Sequence, residues 1–168
     1  MKRTSGRACR DYERVWRDLC VDRGLEDEWL ERLNRLETLS LVGICEGHPD
    51  QQPGAAGRFP HVHLRLKESL LPGIAGHWED LRAAMLNEVG KLFQLGDTDV
   101  RVELKFWLRA GRGKLVYRED MIVHVRSYRV RESAEMDAET RGWFERAVDR
   151  IAEIDRAVHT WHGTGFDA

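Results

Sequence analysis

At 168 residues and 19.5 kDa the chain has the length of one domain, with room for a substantial hydrophobic core. Hydrophobic residues at 42% and charged residues at 33%, arranged in periodic runs, exclude a disordered polar chain. A formal net charge of -2 argues against a global pull toward nucleic acid or an anionic membrane, although 22 of the 27 basic residues are Arg, the residue suited to planar, bidentate partners. The three cysteines, Cys9, Cys20 and Cys45, are an odd number, and the opening MKRTSGRACRDYER has no apolar run behind its basic residues. No stretch approaches the roughly 18 apolar residues of a membrane span. The expectation is a cytoplasmic protein with reduced thiols.

In chain order, residues 1–10 are polar and basic and are expected to be flexible. Tyr12, Val15, Trp16, Leu19 and Cys20 follow at i, i+3, i+4, i+7 and i+8, the spacing of one helical face. Gly24 suits a helix C-cap. Trp29, Leu30, Leu33 and Leu36 form the stripe of a second helix over 26–37, so residues 11–37 are expected to form a helical hairpin. Leu39, Leu41, Val42 and Ile44 predict a short strand. The fourteen residues from Glu46 to Phe59 contain Pro49, Pro53, Gly54 and Gly57 and predict a long irregular loop. From His61 to Lys67 the pattern alternates, with Val62, Leu64 and Leu66 on one face and His61, His63 and Arg65 on the other. Pro72 and Gly73 interrupt the chain before a predicted helix from Ile74 to Gly96.

Val100 to Arg109 is the clearest strand, with Arg101, Glu103, Lys105 and Trp107 opposite an apolar row. Gly111, Arg112 and Gly113 allow the chain to reverse. The return segment from Leu115 to Val130 loses its alternation between Val125 and Tyr128, which predicts a bulge or a loop there. Asp137 is a good N-cap for a last helix burying Phe144, Ala147, Val148, Ile151, Ile154 and Val158. The tail, 163–168, is expected to be flexible. The predicted fold is a single α/β domain of the α+β type. It is a two-layer sandwich over 38–160, a mainly antiparallel sheet with helices on one face, preceded by the helical hairpin.

The polar sheet face carries His61, His63, Arg65, Arg101, Glu103, Lys105, Trp107, His124 and Arg126. An ordinary solvated face with cross-strand ion pairs accounts for such a set, and three sharper readings stand beside it. The first is a metal centre for zinc or another divalent transition metal. His61 and His63 lie roughly 7 Å apart on one strand face, and Cys45 and His48 close the preceding strand. If the strands are neighbours, Cys45 or His48 completes the set, and an open position would support hydrolytic or lyase chemistry with Glu46 as general base. The second reading pairs Cys45 with His48 as a thiolate–imidazolium nucleophile. The third is a non-catalytic module for a small ligand or a protein partner, with Arg65, Trp107, His124 and Arg126 as the contact surface. His159 and His162 reach the metal centre only if the last helix ends beside it. His77 and His124, each taken alone, read as ordinary histidines, and Trp16 and Trp29 as core.

Overall fold

The computed structural model describes residues 9–17, 19–49, 59–67, 96–111, 114–130 and 136–165, without the side chains of 104–120 and 161–165. Among these residues the chain forms two antiparallel sheets, of two and four strands, and two helices. The fold is α+β.

The first helix expected from sequence is absent. Residues Glu13–Trp16 (β1) and Leu19–Asp22 (β2) form an antiparallel hairpin, with Trp16 opposite Leu19 and Glu13 opposite Asp22. Arg17 has a φ of 51°, the left-handed backbone that a tight hairpin turn demands and a helix forbids. The hairpin buries Trp16 and Val21 and leaves Val15 70% exposed, whereas the expected helical stripe would have buried Val15 with Trp16 and left Val21 off its face. A disulfide joins Cys9 to Cys20, so two of the three expected free thiols are not free, and Cys45 alone remains a thiol.

The second expected helix is present as Asp27–Asn34 (α1), with Asp27 and Glu28 in its first turn, where carboxylates favour the helix dipole. It buries Trp29, Leu30 and Leu33. Arg17 of the hairpin turn bonds both carboxylate oxygens of Glu31 at 3.1 Å, and Arg14 donates to the carbonyl of Leu25 at 2.9 Å. These contacts hold the hairpin against α1.

The larger sheet contains Leu39–Cys45 (β3), His61–Leu66 (β4), Thr98–Gly111 (β5) and Lys114–Ser127 (β6), in the order β3-β4-β6-β5 with every pair antiparallel. Val62, Leu64, Leu66, Val102, Met121, Val123 and Val125 are buried in one core with Trp29 and Phe144, whose rings stack at 5.3 Å. The bulge predicted between Val125 and Tyr128 does not occur. The β5–β6 register runs unbroken from Thr98–Ser127 to Gly111–Lys114, and Tyr128 lies beyond the strand. The register shift falls in β3 instead, between Leu41 and Gly43. Burial alternates regularly from Val123 to Ser127, with the buried Ser127 in the place where an apolar residue was expected. The alternation breaks earlier, at Ile122, which is buried on the polar side opposite Arg65.

The last helix, Ala138–Gly165 (α2), starts as predicted: Asp137 Oδ1 accepts the Thr140 N–H at 2.6 Å. It buries all six of the residues assigned to its stripe and continues through part of the expected tail. The predicted helix over 74–96 and most of the 46–59 loop lie outside the described residues.

Candidate metal centre

The end of β2 packs beside the end of β3, although the two strands belong to different sheets. Asp22 ends one and Cys45 the other, and the chain then turns at Gly47, whose φ of 85° is glycine territory. That turn swings His48 back toward Cys45, while the Gly47 N–H donates to Cys45 Sγ at 3.4 Å. The ligand atoms of Asp22, Cys45 and His48 all lie within 4.8 Å of one another. His48 Nε2 is 3.4 Å from Asp22 Oδ2, which also accepts the Glu46 N–H at 2.8 Å. The Tyr12 ring covers the His48 ring at 4.4 Å between centroids.

The group is negative and shielded from water. Asp22 is 3% exposed and Glu46 7% exposed. The Glu46 carboxylate sits against the backbone of Gly24, where an added Cβ would come 2.1 Å from Oε2. Gly24 therefore serves as the floor of a carboxylate pocket, and it belongs to a turn instead of the predicted helix cap. Burial pushes the Cys45 thiol up to about 12, helped by the Asp22 and Glu46 charges and opposed by the Gly47 N–H. A thiolate–imidazolium nucleophile needs the opposite shift, so the shift runs against that reading at neutral pH. A cation placed among these groups would reverse it.

The two strand histidines share a face, as their spacing predicts, but their rings stack on each other at 4.5 Å. His61 lies directly opposite Cys45, and its Nδ1 contacts the Phe59 carbonyl at 2.8 Å, which makes Nδ1 the protonated nitrogen of the neutral ring. Burial, with the Arg126 and His124 charges, lowers the His61 pKa against the opposing pull of Phe59 and Asp22. His63 lies one pleat further along, opposite Gly43 and His124, with the His124 ring edge-on at 4.5 Å. Neither strand histidine belongs to the compact ligand group, whose third member is Asp22.

The remaining polar-face residues are largely occupied by each other. Asp99 accepts from Arg101 Nε at 2.9 Å and from Arg126 at 3.3 Å, and Arg126 also lies over the Phe59 ring. His124 Nε2 is 3.3 Å from Glu103 Oε2. Arg65 is half-buried between Ser40 and Ile122. Trp107 lies opposite Arg118, and its side chain is outside the described residues. His159 pairs with Glu37 at 3.2 Å, before the start of β3 and at the opposite end of that strand from Cys45. Trp16 and Trp29 are buried, as expected. Compared with protein-family models, with curated proteins and with solved structures, the chain finds no match.

Proposed function

We propose that the protein binds one divalent transition metal, with zinc as the best fit, through the Asp22 carboxylate, the Cys45 thiolate and the His48 imidazole. The observation that carries this reading is the convergence of three different ligand types within 4.8 Å, from two strand ends and one glycine turn. Tetrahedral ligands at 2.0–2.3 Å from zinc stand roughly 3.3–3.8 Å apart, so the group needs to contract by about 1.5 Å at most. Sulfur and imidazole together favour zinc over magnesium or calcium. Two buried carboxylates beside a thiol also make a site that a cation would relieve. Three protein ligands would leave a fourth position for water, the arrangement of a catalytic rather than a structural zinc, and the neighbouring Glu46 is the carboxylate that would serve it in proton transfer.

Metal analysis of untagged protein tests this reading. The expected result is one equivalent of zinc, retained in wild type and lost in Cys45→Ser, with Asp22→Asn weakening affinity by at least about tenfold. Cobalt substitution should add a sulfur-to-cobalt charge-transfer band that Cys45→Ser removes. Metal uptake indifferent to both substitutions would end the proposal.

A further inference from the structure

A second group of ligand types lies on the same face of the hairpin. Glu13 stands opposite Asp22, and Cys20 stands two residues before it, so Glu13, Cys20 and Asp22 share one side of β1–β2. The Glu13 carboxylate and the sulfurs of Cys9 and Cys20 lie within 4.8 Å of one another, and all three residues are partly accessible. The sulfurs are joined in a disulfide, which has no thiolate to offer a metal.

We propose that Cys9, Cys20 and Glu13 form a redox-gated metal site, which takes up a soft divalent cation such as zinc when the disulfide is reduced. A low-molecular-weight thiol supplies the electrons: two thiols attack in turn, the Cys9–Cys20 bond breaks, and the thiols leave as their own disulfide. The two protein sulfurs each gain a proton. The metal ion then displaces both protons to solvent and binds two thiolates and the Glu13 carboxylate, with water in the fourth position. Oxidation by a small disulfide runs the sequence backward and ejects the ion.

Contacts other than the disulfide also hold the ligands. Cys20 and Glu13 are held by the β1–β2 pairing and by the burial of Trp16 and Val21 in the core. Cys9 is positioned by the turn that follows it, where the Glu13 N–H donates to the Arg10 carbonyl at 2.9 Å and the Arg10 N–H donates to Glu13 Oε2 at 2.7 Å. The dithiol is thus organised for a metal in advance, and two thiolates with one carboxylate suit zinc or cadmium better than magnesium or calcium. This site shares no ligand with the Asp22–Cys45–His48 group and stands whether or not that group binds metal.

Full-length Cys45→Ser protein isolates the site, because it removes the thiolate of the other one. Oxidised and phosphine-reduced samples, the latter freed of reductant without air, are titrated with zinc against a chromophoric chelator. The expected result is one equivalent bound only after reduction, two protons released per zinc in weak buffer, and a sulfur-to-cadmium absorption band on cadmium addition. Adding Cys20→Ser should abolish the band and the proton release, and Glu13→Gln should weaken affinity by at least about tenfold. Equal zinc uptake in the two redox states, or uptake in the reduced sample without proton release, would overturn the proposal. Should the Cys20→Ser protein fail to fold, the redox comparison within the Cys45→Ser protein decides alone.

Discussion

Strand β3 is gripped at both ends by a buried aspartate, and the two grips differ in kind. At its start, Asp155 of α2 accepts the N–H groups of Glu37, Thr38 and Leu39 at 2.7, 2.9 and 3.0 Å, together with the Thr38 hydroxyl. At its end, Asp22 accepts one backbone N–H, from Glu46, and otherwise meets His48 and the Cys45 thiol. The first carboxylate is surrounded by donors that cannot change their charge. Among the neighbours of the second, two are groups that gain or lose protons and bind metals. Equal burial therefore supports two roles: Asp155 fixes the fold, and Asp22 is placed to exchange partners.

The largest effect that would break this contrast is on stability. Asp155→Ala strands the buried N–H groups of Thr38 and Leu39 and the Thr38 hydroxyl, and loosens the half-buried Glu37 N–H, at a cost on the order of 3 kcal/mol or more. For a chain of this size that lowers Tm by roughly 6–12 °C. Asp22→Asn keeps an oxygen for the Glu46 N–H and should change the stability of metal-free protein by less than about 1 kcal/mol. Thermal melts of the two variants check the difference; equal losses would make Asp22 a second structural clamp.

The second effect appears at high pH. The Cys45 thiol is raised from 9.0 to about 12, so its protonated form supports the folded state fully below pH 9. That contribution is lost as pH rises from 9 through 12, because the unfolded chain gives up its proton first. In metal-free protein, stability measured against pH should fall more steeply in wild type than in Cys45→Ala, by roughly 1.4 kcal/mol per unit at full slope. Parallel curves would mean that the thiol is not held neutral by its surroundings.

The strands of the larger sheet, α1 and the last helix were legible because their apolar residues cluster, alternate or recur on a single face. The hairpin was not. Tyr12, Val15, Trp16, Leu19 and Cys20 satisfy a helical spacing, while the facts that defeat it are a left-handed Arg17 and a sulfur bridge, neither of which leaves a periodic trace. That one misreading left Asp22 outside every candidate site. Cys45 and His48 were legible as ligand types, since they are rare and close in sequence. The partner they actually meet depends on β2 lying beside β3, a long-range contact. His61 and His63 stood out for the opposite reason: strand alternation fixes their shared face without fixing where the rings turn.

A smaller effect concerns the pocket under Glu46. Gly24→Ala places a methyl group 2.1 Å from the present position of Glu46 Oε2, so the buried side chain must move. The expected cost is about 1–3 kcal/mol, read as a lower denaturant midpoint. If Glu46 serves the metal site, activity toward any substrate later found should fall by more than metal affinity does.

The smallest expected effect is the sharpest discriminator between the two histidine groups. His63 lies opposite Gly43, one pleat away from Cys45, and its ring packs between those of His61 and His124. His63→Ala should therefore leave zinc stoichiometry and affinity unchanged within about threefold, a coupling of about 0.6 kcal/mol that a lost ligand would far exceed. His48→Ala, by contrast, should release the metal. The reverse pattern would return the site to the strand face and make the Asp22–Cys45–His48 convergence a buried polar cluster, with the raised thiol as its only chemical consequence.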